Sequence, residues 1–399
     1  MKLARDVVIV DYLRSPFSRS RPKEPEKDQL NDYTMDEVIG MLWKELIKRN
    51  NIDPMIIDEA LVGVARPVME MWTYGGKLPS FFAELPVEIA TQQVDQQCGS
   101  SFDALRTGVM AIATGFAEVV LCAGMEHMTH IPLGAANTAV KVNDKLRNDP
   151  KYKVYDVNFS MNMGFTAQKL QEMAGFSREE MDKWSVRSHQ LAAKAQKDGF
   201  LKGEILPIEI TLPDGSKQMY DYDACVRADT NLETLLQLKP AYKPDGTITA
   251  GNASPLNAGA TAMLIMSRDK AKKLGLKPMA SFVSFGVAGV DPTIMGSGPV
   301  PSSRKALAFA GLKAKDIDFW EINEAFSVVS LYCMRELGAP EEKVNVKGGA
   351  VAIGHPLGAT GLRLVGTLAR ILQQEGGKYG LATQCCGGGQ GVAAIIKKE

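Results

Sequence analysis

Hydrophobic and polar positions along the 399-residue chain fall into two textures. Short apolar runs read as strands at Val7–Val10, Ala60–Ala65 and Val119–Met125, and apolar residues recurring three and four apart read as helices at Met35–Arg49 and Ser100–Thr114. Strands alternating with helices predict an α/β architecture with mostly parallel strands. From about Ile131 to Pro244 the pattern changes to basic loops, two helices (Gly164–Met173 and Arg178–Asp198) and a hairpin turning at Asp214-Gly215. The first texture then resumes, with strands at Ala262–Met266, Ser281–Val287, Phe319–Ile322 and Val344–Lys347 and helices at Ala325–Leu337 and Ala359–Gln374. A closing strand pair flanks the Gly387–Gly391 turn. The expected organisation is an N-terminal α/β half over 1–130 completed by 245–275, an inserted loop or lid domain over 131–244, and a C-terminal α/β half over 276–399. The two halves look alike in outline rather than in sequence.

Composition narrows the partners. Forty-six basic side chains balance 46 acidic ones, so no global field draws the chain to nucleic acid or to an anionic membrane, and any polyanion site must be local. The N-terminal apolar run is too short for a signal-peptide core, and Thr114, Gly115, Glu118 and Gly124 interrupt the most apolar stretch, so neither a leader nor an integral membrane segment is expected. The expected setting is cytoplasmic, or an organelle matrix. Six cysteines without CxxC spacing argue against zinc ribbons and thioredoxin chemistry; Cys122 and Cys333 read as buried hydrophobes.

Four places could carry chemistry. Cys98 stands before Gly99-Ser100-Ser101 at a strand-to-helix turn, where unpaired N–H groups and the helix dipole favour thiolate and lower a thiol pKa; a buried thiol at a capped helix start reads equally well. His355 lies in a glycine-rich strand-to-helix turn, GGAVAIGHPLGATG, which clears space around an imidazole; a lone histidine is more often structural. Cys385 precedes Cys386 and a glycine run whose backbone can present N–H groups to an oxyanion, or simply close a tight hairpin. Asn323 sits where a strand becomes a helix, as an N-cap or as the holder of a water. His127 and His130 have no further histidine or paired carboxylate nearby in sequence, so no metal is expected.

In this order, CGSS at Cys98, NEAF at Asn323–Phe326, GGAVAIGHPLGATG at His355 and CxGGGxG at Cys385–Gly391 resemble the thiolase family. Arg14-Ser15-Pro16, TAGNAS at Thr249–Ser254 and MGSGPVP at Met295–Pro301 extend the likeness over essentially the whole chain. The resemblance implies two α/β halves in a five-layered αβαβα core, with the inserted loop domain over the site. It also implies coenzyme A thioester substrates, no permanently bound cofactor and a homodimer or homotetramer.

For the residues, the resemblance implies Cys98 as nucleophile, His355 as its base and Cys385 as the second acid/base. Asn323 would position a water that joins His355 at one oxyanion, and the N–H groups of Cys98 and Gly387 would form a second oxyanion hole. Arg227, Ser254, Met295 and Met163 are implied to bind substrate and CoA. The basic run 141–153 is read as a solvated loop. Departures from the family pattern are Asp95 for the usual Asn, Cys386 for an aliphatic residue, Asn257-Ala258-Gly259 without the common Asp, and Asn162 where acetoacetyl-CoA thiolases carry His. The last, with CGSS and GMEHM, leans toward degradative 3-ketoacyl-CoA thiolases. A biosynthetic acetoacetyl-CoA thiolase and a non-catalytic acyl-CoA-binding subunit of a β-oxidation complex are the alternatives. A β-oxidation enzyme partner is a further expectation.

Overall fold

A computed structural model describes residues 3–133, 141–212 and 214–399. The part of the expected insertion at 134–140 and position 213 lie outside the described residues.

Strand residues alternate between two buried environments. In the strand Val7–Arg14, Val8 and Val10 join a cluster with the helix Met35–Arg49, while Val7 and Ile9 join a second cluster with the helices Ser100–Thr114 and Thr360–Glu375. In the strand Gln390–Lys398, Ala393 and Ile395 face a third cluster with the helices Pro299–Ala310 and Ser327–Leu337, and Val392, Ala394 and Ile396 face the second. A period of two with both faces apolar is what a sheet covered on both sides requires. Helices therefore lie outside each sheet and between the two, giving the five expected layers.

The halves share a strand order except at one edge, where the first has a fifth strand and the second only the Val344–Trp320 bridge. The first runs Ala90–Val94, Glu59–Val64, Val119–His127, Asn257–Ser267 and Val7–Arg14; the second runs Phe319–Ile322, Tyr379–Cys386, Gln390–Lys398 and Ala280–Gly289. The two join where Val8 and Ile9 pair with Ser281 and Ala280. Pairings are parallel among 59–64, 90–94 and 119–127 and between 319–322 and 379–386, but antiparallel everywhere else in this sheet. The expectation of mostly parallel strands is thus corrected. Hydropathy marks a strand buried on both faces but carries nothing about its direction.

Three other expectations are corrected. Val344–Lys347 is not a strand: Val344 makes one bridge to Trp320, and the Asn345 side chain then takes over the ladder, accepting from Ile322 N at 2.8 Å and donating to Ile322 O at 2.8 Å. The residues before Gly354 form a helical turn, Ala350–Ile353, rather than a strand. The helix expected from Ala325 starts at Ser327, because Ala325 O accepts from Ser254 N and Phe326 bridges Ala253. The edge strand Ala90–Val94 and the helix Pro299–Ala310 carried no clear pattern in advance; the first is polar and half exposed, and the second is broken by two prolines.

The segment between the halves holds the helices Met163–Ala174 and Arg178–Lys197, the latter with a Ser177/Glu180 capping box, and the hairpin Ile208–Thr211/Lys217–Tyr220. It is fastened by fully buried Arg14, which donates to Glu204 at 2.7 Å and as a fork to both oxygens of Asp223 at 2.7 and 2.8 Å. A forked guanidinium–carboxylate pair fixes geometry as well as charge.

Candidate active site

The two helices of the middle layer begin at adjacent turns, and those turns carry Cys98 and His355. Cys98 follows Gln97, whose φ of +52° is the left-handed conformation that few non-glycine residues adopt. The turn is held by Asp95 accepting from Gln97 N at 2.8 Å and by Ser100 Oγ accepting from Gln96 N at 3.0 Å. Gln384 Nε2 donates to Cys98 O across the halves. Backbone N–H groups of Gly387 and of Cys98 itself act on the Cys98 sulfur and favour thiolate, yet burial dominates and pushes the thiol up to about 11, helped by the charges of Glu126 and Asp95. The lowered pKa expected from the helix start is therefore corrected: desolvation outweighs the N–H groups at this buried turn.

His355 is fixed from three sides. Its N–H donates to Asn257 Oδ1 at 2.9 Å, Nδ1 lies 2.7 Å from Thr360 Oγ1, and Nε2 lies 3.3 Å from Asn323 Nδ2. The Thr360 hydroxyl already donates to Pro356 O at 2.8 Å, so its oxygen accepts from Nδ1–H. That assigns the tautomer: Nε2 carries the lone pair. Burial, with a smaller push from the Arg363 cation, holds the imidazole down at about 3, so the ring is neutral in the resting site. Gly354 makes the turn at φ +112°, and a Cβ there would stand 2.4 Å from Asn257 Nδ2.

Asn323 is not an N-cap. The cap position of the following helix is Phe326, and Asn323 is fully buried with Oδ1 unpartnered, an acceptor free for a water beside His355. Its neighbour Glu324 explains the rest of the motif. The Glu324 carboxylate accepts from Trp184 Nε1 at 3.0 Å, Asn345 Nδ2 at 2.8 Å, Ser188 Oγ at 2.7 Å and Val351 N at 3.1 Å. It thus ties the long helix Arg178–Lys197 to the loop that leads into His355. A Cβ at Gly349 would lie 2.2 Å from this carboxyl, which accounts for one of the glycines.

Cys385 is fully buried, and burial followed by the nearby Cys98 charge drives its thiol well up. Burial thus favours the neutral form of both thiols, which are near enough for Cys385 to feel a charge on Cys98. Met295 and Cys385 share one apolar cluster, with Met163 packed against it. Ser254 is half buried, its N–H on Ala325 O, and Arg227 is exposed with its N–H on His189 Nδ1 at 3.2 Å. The histidine pair is occupied by protein groups: the rings of His127 and His130 stack at 3.7 Å, and His130 lies 2.7 Å from Glu70 and 3.2 Å from Asn31.

The structure brings Cys98 together with Gly387 and Cys385, and His355 together with Asn323. Sequence reasoning missed Asn257, Thr360, Gln384 and Glu126. Thr360 stands five residues beyond His355 at the start of a helix, where it could have been weighed; the other three act only across the fold. Glu126 is buried at the end of its strand, accepts from Gly358 N at 3.0 Å, keeps Oε1 unpartnered and is pushed up to about 7 by burial.

Comparison with known proteins gives the following. Residues 7–269 match the family model "Thiolase, N-terminal domain" and residues 276–398 match "Thiolase, C-terminal domain". The chain is 41% identical to proteins named 3-ketoacyl-CoA thiolase from Marinobacter nauticus and Vibrio parahaemolyticus, over 99% of this chain and 98% of each relative. Among solved structures it resembles human mitochondrial 3-ketoacyl-CoA thiolase (TM-score 0.89, 35% identity, 100% of both chains) and the same protein in complex with CoA (TM-score 0.88, 34% identity, covering 100% of this chain and 99% of that one). It also resembles Bacillus anthracis acetyl-CoA acetyltransferase (TM-score 0.87, 34% identity, 100% of both chains).

Proposed function

The chain belongs to the thiolase family, and on that premise we propose that it cleaves 3-ketoacyl-CoA with CoA, giving acetyl-CoA and an acyl-CoA two carbons shorter. The observation that carries the reading is a pair of buried thiols close enough for one to feel the other's charge, with the Gly387 N–H on Cys98, together with a buried imidazole whose Nε2 lone pair faces Asn323 Nδ2, in a chain that matches 3-ketoacyl-CoA thiolases along its length.

Each residue then has a task. His355 Nε2 takes the Cys98 thiol proton, and the sulfur attacks the 3-keto carbon. The new alkoxide meets the N–H groups of Cys98 and Gly387. As the C2–C3 bond breaks, the acyl group stays on Cys98 as a thioester and its electrons pass to acetyl-CoA as an enolate. The imidazolium at His355 and a water on Asn323 Oδ1 stabilise the enolate oxygen. Cys385 protonates C2 and is left as thiolate. It then deprotonates the incoming CoA thiol, whose sulfur takes the acyl group, and Cys98 recovers its proton from His355. Neutral resting thiols suit this order, because charge appears only once substrate has displaced water. Met163 and Met295 line the acyl side, while Ser254 and Arg227 meet the pantetheine arm and the nucleotide.

The remaining parts of the reading follow. The segment 131–244 acts as a lid over the site, between halves 1–130 with 245–275 and 276–399. The polar edge strand Ala90–Val94, beside exposed Trp72, Tyr74, Phe81 and Phe82, supports a homodimer built across that edge. The setting is cytoplasmic and the pathway fatty acid β-oxidation. The test is the thiolysis rate against 3-ketoacyl chain length, from four carbons to sixteen, with mass spectrometry of the acyl-enzyme. A rate that rises beyond four carbons with an adduct on Cys98 is expected. A rate confined to acetoacetyl-CoA reassigns the chain to short-chain condensation, and absence of any adduct removes Cys98 from its task.

A further inference from the structure

The helix Thr360–Glu375 carries a polar stripe through the interior. Thr360, Arg363, Thr367 and Arg370 recur three and four residues apart, so they share one face, and the first three are buried. Each has a partner. Thr360 Oγ1 lies 2.7 Å from His355 Nδ1, and Arg363 Nη1 donates to Glu321 Oε2. Thr367 Oγ1 donates to Glu204 at 3.1 Å, and Arg370 lies 3.4 Å from the same carboxylate. On the facing strand Glu321 and Asn323 are two residues apart and share a side, the extended pairing continuing as Asn323 N donates to Thr383 O at 3.0 Å. Asn323 Nδ2 lies 3.3 Å from His355 Nε2. Two rungs therefore cross from strand to helix: Asn323–His355–Thr360 and, next to it, Glu321–Arg363.

Stability does not account for the second rung. Glu321 and Arg363 are fully buried, yet Arg363 Nε and Nη2 and Glu321 Oε1 have no protein partner. A buried ion pair with donors left unmet stabilises little, and apolar residues of similar volume serve as well or better. What the pair has beside it is the imidazole. The Arg363 cation opposes a proton on His355, and Glu321 is the ion-pair partner of that cation among the described residues. The other ionisable groups around it are engaged elsewhere. Glu324 holds Trp184, Ser188, Asn345 and Val351, and Glu204 holds Arg14, Thr367 and Arg370. Burial drives the Tyr12 hydroxyl far above neutrality. Burial also pushes Glu321 up to about 7, with Arg363 pulling against it and Glu324 and Glu204 adding to it, so its charge fades as pH falls through neutrality.

We propose that Glu321 and Arg363 are a positioning pair for the base His355. The pair sets the spacing between the Asn323 strand and the His355 turn, and it lets the imidazolium form beside a neutral pair rather than beside a bare cation. The proposal rests on the thiolysis reading above, in which His355 takes the Cys98 proton. Neither residue touches substrate; both act through His355 and Asn323.

The test compares wild type, Glu321→Gln and the double variant Glu321→Leu/Arg363→Met in thiolysis and in alkylation of Cys98 by iodoacetamide at pH ~8, where the Glu321 carboxylate is ionised, read by peptide mass. Alkylation needs thiolate, so its rate follows how readily His355 takes the thiol proton. Glu321→Gln leaves the Arg363 cation bare. It should lower kcat about tenfold or more, keep KM for CoA and for 3-ketoacyl-CoA within about twofold, and slow alkylation the most. The double variant removes the cation as well, so its alkylation should recover toward wild type. Its kcat should stay low because the spacing is lost, while its urea midpoint stays near wild type. A double variant with kcat within about twofold of wild type overturns the pair, and so does a Glu321→Gln alkylation rate equal to that of the double variant. If Glu321→Gln does not fold, kcat of the double variant decides alone. If the wild type thiolyses nothing, the function above falls, and the order of the alkylation rates still decides the pair.

Discussion

In the N-terminal half, the turn entering the helix Ser100–Thr114 carries Cys98; in the C-terminal half, the turn entering the helix Thr360–Glu375 carries His355. The four strands and the layer that carry these turns correspond in the two halves, and the side chains placed on them do not. The strand ends also answer one another. Glu126, ending the Val119–His127 strand, accepts from Gly358 N at the C-terminal turn, while the sulfur of Cys386, ending the Tyr379–Cys386 strand, takes the N–H of Gly99 at the N-terminal turn. Each half thus closes the other's turn. The fold therefore supplies two equivalent sockets, and they differ in their contents: a thiol in one, an imidazole in the other, and a second thiol at the strand end of the C-terminal half, so that function is read from the contents and not from the sockets.

The largest expected effect tests that asymmetry. Cys385→Ala removes the thiol proposed as the acid, which only the C-terminal half provides, while leaving the Cys98 socket whole. The variant should still acquire an acyl group from acyl-CoA, seen as a mass shift, but its thiolysis kcat should fall about 10³-fold or more. Near-normal turnover would mean that the two strand ends are chemically equivalent, and the acid would have to be sought elsewhere. Loss of acylation as well as turnover would instead place Cys385 in the nucleophile's own socket.

How far this could be read in advance differs between the sockets. Cys98, His355, Cys385 and Asn323 stand in local motifs whose residue types already limit the chemistry, and the structure sets Cys98 near Cys385 and His355 against Asn323. What holds them does not lie beside them. Asn257 is 98 residues from His355, Gln384 is 286 from Cys98 and Glu126 is 232 from Gly358. Such contacts exist only once the two halves are stacked, so periodicity carries no trace of them. The same reason underlies the failed strand at 344–347, where one asparagine side chain substitutes for backbone pairing, and the misjudged thiol pKa, where burial is a property of the packed turn rather than of its residues.

The second effect bears on the His355 turn. Gly354→Ala forces a side chain to φ +112° and drives its Cβ into the Asn257 amide. Backbone strain alone costs about 1–3 kcal/mol, and displacement of Asn257 also releases His355 N. Urea denaturation should show this loss, together with a fall in kcat that exceeds any change in KM. The matching position in the other socket, Gln97, is already a left-handed non-glycine residue, so Gln97→Gly should instead be tolerated in stability. Equal losses at both positions would show that the turns are more alike than their backbones suggest.

A third effect separates the strand ends by pH. The folded-state pKa of Glu126 is raised to about 7, above its unfolded value, so the folded chain holds an extra proton between the two and wild-type stability declines as pH rises through that window. Glu126→Gln removes the decline. Relative to wild type, the variant should gain about 3 kcal/mol between pH 4 and pH 8 in urea titrations. His355, depressed to about 3, works the other way, with stability lost as pH falls below about 6.5, but it is common to both proteins and cancels in the difference. A difference independent of pH would mean that Glu126 is ionised in the fold and that its unpartnered Oε1 is satisfied by water.

The smallest effect is expected at the other strand end. Cys386 is adjacent to Cys385 and equally buried, but its side chain lies on the opposite face of the strand, in the cluster between the two sheets. Its contact with Gly99 N–H is shared, since that N–H also donates to Gln96 O at 3.0 Å. Removing the sulfur therefore leaves no orphaned donor, and a similar volume should fill the space. Cys386→Val should keep thiolysis within about twofold and stability within about 1.5 kcal/mol, the range for a volume-conserving change. The outcome ranks the two neighbouring thiols. If Cys386→Val abolished turnover while Cys385→Ala did not, the acid would lie on the inner face beside Gly99, and the two sockets would share one thiol between them.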